Sequence, residues 1–100
     1  MKLRFRDNKL EKAYQLEKER LKQFSPPLAR KYHNTIALLE AAENLQAAYS
    51  FPHLNLHPLK GDKEGLLSIT LHDRWRLILK QDTDDPAILI IWEVTNHYGD

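Results

Sequence analysis

The sequence predicts an α+β domain in which an N-terminal antiparallel pair of helices packs on a small, mainly antiparallel β-sheet. Two observations lead to this prediction. Apolar residues recur at helical spacing across residues 8–44, whereas across residues 66–94 they alternate with polar residues or form one continuous run. The chain has 100 residues, so one domain spanning residues 1–100 is expected.

Two helices are predicted in the first half of the chain, over residues 8–24 and from about residue 26 to residue 44. Asn8 and the glutamate three residues later have the spacing of a capping box at the start of the first helix. Ser25 can cap the second helix, and Pro26 suits its first position. Since the link is this short, the two helices are expected to form an antiparallel hairpin.

Residues 45–65 interrupt this pattern and are predicted to form the longest loop of the chain. Two prolines and two glycines break regular structure here, namely Pro52, Pro58, Gly61 and Gly65. A loop of this length in a compact domain is often functional.

Two strands of an antiparallel hairpin are predicted to follow the loop, because apolar and polar residues alternate there. Register follows the buried face, which favours a three-residue turn over residues 72–74. Such a turn sets Leu71 opposite Trp75. It also sets Ile69 opposite Leu77.

The same register places three polar side chains together on the outer face of the hairpin, those of Ser68, Thr70 and Arg76. Residues 87–92 are continuously apolar, which predicts a strand that is covered on both faces and lies inside the sheet. A short polar tail follows this strand over residues 95–100.

Charge is distributed unevenly along the chain, although the formal net charge is only +1. Residues 1–35 contain ten Lys or Arg and four acids, whereas residues 81–100 contain five acids and no Lys or Arg. Such asymmetry suggests a basic face for phosphate and a separate acidic edge, although solvated helix faces give the same pattern. Cysteine is absent, which excludes disulfides and thiolate metal sites and fits a reducing compartment.

The N-terminal residues do not form a signal peptide, because residues 1–7 are charged and no apolar run follows them. No stretch of the sequence is long and apolar enough to span a membrane. The expected location is therefore the cytoplasm, without a membrane partner.

Four groups of polar residues remain once the core is assigned, and together they suit the cleavage of a phosphodiester. They are His57 and Lys60 in the loop, Arg76 with Arg74 near it, Ser68 and Thr70 on the neighbouring strand, and Asn96, His97 and Tyr98 after the interior strand. Histidine can transfer protons near neutral pH, and arginine can grip phosphate and stabilise the charge of the transition state. If RNA is the substrate, its own 2′-hydroxyl can be the nucleophile, so no metal is required.

A metal site is the rival interpretation of the histidines, since His53 and His57 are four residues apart. This spacing binds metal on a helix, but the flanking Pro52 and Pro58 argue against a helix here. No metal and no other cofactor are therefore predicted. A single histidine is usually an ordinary surface residue, so His57 and His97 stand out only as a pair beside cations.

The C-terminal half of the chain resembles the HigB-like branch of the RelE toxin superfamily. The residues that carry the resemblance are the run LHPLKGDKEG at 56–65, Ser68-Ile69-Thr70, Trp75-Arg76-Leu77, the apolar strand and His97. The N-terminal half agrees only in its pair of helices.

This resemblance implies a compact α+β toxin of a type II toxin–antitoxin pair, which enters the ribosomal A site and cleaves mRNA without a metal. The 2′-oxygen of the RNA would attack the adjacent phosphate and leave a cyclic or 3′-phosphate end. The implied partners are the ribosome, mRNA and a helix-turn-helix antitoxin encoded beside the toxin. Operator DNA would be reached only through that antitoxin.

The resemblance also implies roles for individual residues. His57 and His97 would do the acid and base work, in an order that stays open, with Arg76 and Lys60 on the phosphate. Arg74, Ser68 and Thr70 are further candidates for phosphate contact, and Asn96 and Tyr98 are possible auxiliary residues.

One departure from the family pattern leaves other functions open. Many relatives end in Asp-Tyr-His, where this chain has Thr95-Asn96-His97. The chain could therefore be a degenerate, non-catalytic toxin homologue that binds an antitoxin or RNA. A ribonuclease that needs no ribosome is a third hypothesis.

Overall fold

The structure is a computed structural model, and it describes residues 1–97. This part of the chain contains four α-helices and five strands. The possible auxiliary residue Tyr98 lies outside the described residues. In chain order the elements are β1 (Lys2–Phe5), α1 (Asn8–Gln15), α2 (Glu17–Gln23), α3 (Pro26–Ala41), α4 (Leu45–Tyr49), β2 (His57–Pro58), β3 (Leu66–His72), β4 (Trp75–Gln81) and β5 (Ile88–Thr95). None of these helices is long and apolar enough to cross a membrane.

The five strands form one sheet in the order β1-β5-β4-β3-β2. Only β1 and β5 run parallel, and the other neighbours are antiparallel. The α+β class and the mainly antiparallel sheet are thus confirmed. β5 lies between β1 and β4, and its residues Leu89, Ile90 and Ile91 are buried, as its continuous apolar run predicts.

The turn between β3 and β4 is shorter than predicted. Only residues 73 and 74 form it, and Asp73 adopts the left-handed conformation with φ +50°. His72, not Leu71, lies opposite Trp75, so that pairing was wrong. A bulge between Thr70 and His72 then adds one residue to β3. The extra residue restores the predicted pairing of the buried Ile69 and Leu77, because register must keep the apolar side chains on one face.

The first predicted helix is divided into α1 and α2 at Leu16, whose backbone is extended (φ −124°, ψ 117°). Arg20 stabilises this break, since its Nε donates to the carbonyl oxygen of Ala13 at 2.8 Å and its Nη2 to that of Tyr14 at 2.9 Å. These carbonyls belong to the last turn of α1, which has no helical partners for them. The cap of α1 is Asp7, not Asn8, because the Asp7 carboxylate accepts from the Leu10 N–H at 2.9 Å.

The core lies between α3 and the sheet. On α3, Tyr32, Ile36 and Leu39 are fully buried, and the strands contribute apolar residues such as Leu77 and Ile91. Pro26 begins the helix as predicted, whereas the Ser25 side chain makes no cap bond.

Two regions hold structure where none was predicted. The segment read as a long loop contains α4, β2 and two short 3₁₀ turns, Pro52–Leu54 and Gly61–Lys63. At the N-terminus, β1 joins the sheet because Leu3 and Phe5 alternate with charged residues and pack against the core.

Candidate functional site

The sheet surface that faces away from α3 carries a row of three polar residues on adjacent strands. Thr70 of β3 lies opposite Arg76 of β4, which lies opposite Thr95 of β5. Because the neighbouring Ile69 and Leu77 belong to the core, alternation along the strands puts this row on the opposite face. We call this surface, defined by Thr70, Arg76 and Thr95, the polar face.

His57 lies in the next row of the same face, since it pairs with Ser68. Its Nδ1 is 2.8 Å from the carbonyl oxygen of Asn55, and the Asn55 side-chain amide donates to Thr70 Oγ1 at 3.3 Å. A carbonyl oxygen can only accept, so Nδ1 carries the proton in this contact. In the neutral ring, Nε2 is then the nitrogen that can take up a proton.

Asn55 is a residue that the sequence argument missed. Its backbone adopts the left-handed conformation at φ 51°, and it ends the 3₁₀ turn Pro52–Leu54. Asparagine tolerates this conformation better than most residues, and that preference is the signal that could have identified the position. Asn55 links the loop that carries His57 to the strand that carries Thr70.

Arg76 is held at the start of β4 by its own turn. Its Nη1 donates to the carbonyl oxygen of Asp73 at 2.9 Å and to that of Trp75 at 3.1 Å. Arg76 is half-buried, so the residue keeps some exposed surface on the polar face. An arginine fixed in this way is a preorganised donor for an anion.

His97 follows the end of β5, close to Arg76. Its main-chain N–H donates to the Thr95 hydroxyl oxygen at 3.1 Å, and Thr95 is the cross-strand partner of Arg76. Two residues of chain and one strand spacing put the Cα atoms of His97 and Arg76 within about 12 Å. Asn96 and His97 are both exposed, so the imidazole of His97 is accessible.

The remaining predicted phosphate ligands differ in accessibility. Lys60 is exposed just before the 3₁₀ turn Gly61–Lys63, and Arg74 is exposed in the β3–β4 turn. Ser68 is fully buried, although it lies on the polar face between His57 and Ile78. Because Ser68 is buried, its hydroxyl cannot contact a phosphate in this arrangement.

Metal ligands are not grouped in the described part of the chain. Within residues 1–97, no three His, Asp or Glu side chains approach closely enough to hold an ion. His53 is exposed, and its ring lies edge-on to that of Phe51 at a centroid distance of 6.3 Å.

Trp92 is a second position where the sequence interpretation was incomplete. The apolar run assigned it to the core, but it is only half-buried. The guanidinium carbon of Arg6 lies 4.3 Å from its ring centroid, and the Lys80 Nζ lies 5.0 Å from it. A register shift in the β4–β5 pairing frees Trp92 from a cross-strand partner, and no periodicity in the sequence reports such a shift.

Comparison with solved structures shows that this fold is that of small bacterial toxins. The YoeB/ParE toxin from Agrobacterium tumefaciens aligns with a TM-score of 0.62 at 18% identity, covering 98% of this chain and 100% of that one. YafQ from E. coli strain BL21(DE3) aligns with a TM-score of 0.54 at 17% identity, covering 95% of this chain and 91% of that one. A conserved protein of Helicobacter pylori gives a TM-score of 0.52 at 21% identity, with 97% and 94% covered.

The family itself follows from the sequence comparison. Residues 3–92 match the family described as "RelE-like toxin of type II toxin-antitoxin system HigB", and the chain therefore belongs to this family. The resemblance stated from the C-terminal motifs is confirmed. A search of curated proteins finds no match to the chain.

Proposed function

We propose that this toxin is a ribosome-dependent mRNA endonuclease of the cytoplasm, which cleaves RNA without a metal through attack of the 2′-hydroxyl on the adjacent phosphate. The observation that carries the proposal is the position of Arg76 between two histidine-bearing segments. Thr70 links it through Asn55 to His57 on one side, and Thr95 links it to His97 on the other.

The chemistry requires two proton transfers and one stabilised charge. One histidine takes the proton of the 2′-hydroxyl while the 2′-oxygen forms a bond to phosphorus. The bond from phosphorus to the 5′-oxygen breaks, and the other histidine gives that oxygen a proton. The products are a cyclic 2′,3′-phosphate and a free 5′-hydroxyl, and Arg76 stabilises the charge on the phosphoryl oxygens.

The local geometry supports His57 as one member of the pair. Its Nδ1–H bond to Asn55 fixes the tautomer whose Nε2 accepts a proton, which is the state that a base needs. The order of base and acid between His57 and His97 stays open. Lys60, Arg74 and Thr70 would hold flanking phosphates, and Asn96 would assist beside His97.

The partners follow from family membership. A type II toxin is held inactive by its antitoxin, and we propose that a helix-turn-helix antitoxin also carries the complex to operator DNA. The toxin released from it would act on mRNA in the ribosome.

Induction of the toxin and of matched histidine variants tests the proposal. Wild-type protein should arrest growth and produce new mRNA 5′ ends at defined codon positions, read by primer extension. His57→Ala and His97→Ala should each reduce cleavage by about 10²- to 10⁴-fold, the usual contribution of a proton-transfer group. His53→Ala is the matched control, because it is an exposed histidine of the same loop with no contact to the polar face.

Three outcomes would contradict the proposal. Undiminished toxicity of both active-site variants, at wild-type expression, would exclude the histidine pair. Growth arrest by the wild type without new mRNA ends would favour the degenerate binding module instead, which the Thr95-Asn96 departure motivates. Cleavage of naked RNA by purified protein would favour the ribosome-independent enzyme.

A further inference from the structure

The last residues of β5 extend past the end of β1 and border a groove. β1 pairs with β5 only as far as Phe5 and Ile91, and the Arg6 N–H adds one bond to the Ile91 carbonyl oxygen at 2.9 Å. β5 continues to Thr95. The groove beside this extension has a volume of about 1050 Å³.

The groove, here called the β5-end groove, is built from cations and aromatic rings. Its basic residues are Arg6, Lys9, Lys12 and Lys22, its acids are Asp7, Glu19 and Glu93, and its rings are Phe24, Trp75 and Trp92. Cations beside stacking surfaces are the combination that binds single-stranded nucleic acid.

The acids of the groove have partners in the protein. Asp7 caps α1 through the Leu10 N–H, and Glu19 pairs with Lys22 at 3.6 Å. Arg6 and Lys9, by contrast, form no ion pair with any acid in residues 1–97, and the same holds for Lys12. The lining has four basic and three acidic side chains, a formal charge of +1, and three of its cations have no acid partner within residues 1–97.

Trp92 brings a further cation to the edge of the groove. Arg6 from the end of β1 and Lys80 from β4 both lie over its ring, at 4.3 Å and 5.0 Å from the centroid. Lys80, like Arg6, has no acid partner within residues 1–97. A phosphate can pair with either cation without displacing an acid of residues 1–97.

The β5-end groove adjoins the proposed cleavage site. Trp75 and Val94 line it, and they are the chain neighbours of Arg76 and Thr95 on the polar face. A strand bound at Arg76 would reach the groove by passing around the end of β5.

We propose that the β5-end groove binds a second segment of the single-stranded RNA, with Arg6 and Lys80 on its phosphates and Trp92 as the residue that orders both cations. This inference rests on the proposed function, because it assigns the groove to the same RNA. Phosphate contacts explain the cations that lack acid partners, and the partly exposed rings of Phe24 and Trp75 offer surfaces on which any base can stack.

Salt-dependent binding of an uncleavable RNA, 2′-O-methylated throughout, measures the proposed contacts separately from cleavage. Arg6→Gln and Lys80→Gln should each make the slope of log affinity against log salt less negative by about 0.7, and the double variant by about 1.4. Lys31→Gln is the matched control, since Lys31 is an exposed lysine of α3 that does not line the groove, and Lys80 differs from it by lying over Trp92 at the edge of the groove. Trp92→Leu keeps all charges and should weaken binding with a smaller change of slope.

The results separate this inference from the nuclease proposal. The groove inference is supported if His97→Ala still binds the RNA and the Arg6→Gln, Lys80→Gln double variant does not. This holds even if no cleavage is found. If the wild type cleaves RNA but the double variant binds the uncleavable RNA as well as Lys31→Gln does, the groove inference is overturned and the nuclease proposal stands. The groove inference is also overturned if the wild type fails to bind this RNA. It is overturned as well if the double variant still binds the RNA but loses binding to a Glu- and Asp-rich peptide, because that result would indicate a protein partner. Thermal unfolding of each variant shows that the protein remains folded.

Discussion

Arginine serves two different purposes on the two sides of the sheet. On the helical side, Arg20 donates to the carbonyl oxygens of Ala13 and Tyr14, so its charge closes the break between α1 and α2. On the other side, Arg76 is anchored by carbonyls of its own turn but keeps part of its surface exposed, and the Arg6 guanidinium lies over the ring of Trp92. Both arginines bind backbone carbonyls, but Arg20 joins the end of α1 to α2, whereas Arg76 is held within its own turn. We expect an arginine that bridges two elements to serve stability, and one that is fixed within its own turn to be available to a ligand.

Exchange of the two arginines for lysine gives the largest expected effects and tests this comparison directly. Arg76→Lys should lower RNA cleavage by about 10²-fold, because a lysine cannot offer paired, fixed donors to a phosphoryl group. Arg20→Lys should lower the free energy of unfolding by about 2 kcal/mol, through loss of charge-assisted bonds to carbonyls. Cleavage assays and denaturant unfolding on both variants provide the crossed controls.

The comparison would fail if the effects were exchanged. An Arg76→Lys protein that cleaves normally, or an Arg20→Lys protein of unchanged stability but reduced cleavage, would show that the position of its carbonyl partners does not indicate the role of an arginine.

Tyr32 offers a smaller effect on the helical side. Its hydroxyl donates to the Leu10 carbonyl oxygen at 2.7 Å in the core, so Tyr32→Phe should cost about 1 kcal/mol in the free energy of unfolding. Burial, more than the nearby Asp7, raises the pKa of Tyr32. Because the pKa is higher in the folded protein, the contribution of Tyr32 to the free energy of unfolding is fully present below pH 10, the ordinary tyrosine value. It is lost as the pH rises above that value, since ionisation then favours the unfolded chain.

Unfolding curves between neutral and alkaline pH check both parts of this prediction. Wild-type stability should fall more steeply above pH 10 than that of Tyr32→Phe. Tyr49→Phe is the control, because Tyr49 is 42% exposed. Parallel alkaline curves for the wild type and Tyr32→Phe would contradict the assigned role of burial.

Asp82 should show the smallest effect, at the edge of the sheet. The Asp84 N–H, which donates to its carboxylate at 2.9 Å, lowers the pKa of Asp82, and the Arg4 guanidinium at 2.8 Å adds to this. A lowered pKa gives stability that is present above the ordinary value near 4 and is lost as the pH falls below it. Asp82→Asn should therefore flatten the acid limb of the stability curve.

Thermal unfolding as a function of pH measures this change, with Asp62→Asn as the exposed control. An acid limb that stays as steep in Asp82→Asn as in the wild type would show that other carboxylates account for it.

Most of the elements could be predicted from local patterns. The spacing of apolar residues indicated α3 and the interior strand, and the need to keep Ile69 opposite Leu77 gave the correct central register of the hairpin. The same patterns missed Asn55, because its link to the candidate site is a bond to Thr70 on another element. They also left Ser68 among the phosphate ligands, since alternation gives a face but not the burial of an atom on it.

The amino-acid sequence by itself determined the α+β class, the toxin family and the set of polar residues from which the candidate site is drawn. Periodicity and short motifs depend only on near neighbours in the chain, so they can be read directly. Tertiary structure alone decided that β1 pairs with β5, that a register shift exposes Trp92, and that Arg6 and Lys80 meet on its ring. These features join the two ends of the chain, and no local pattern encodes which distant segments will pack together.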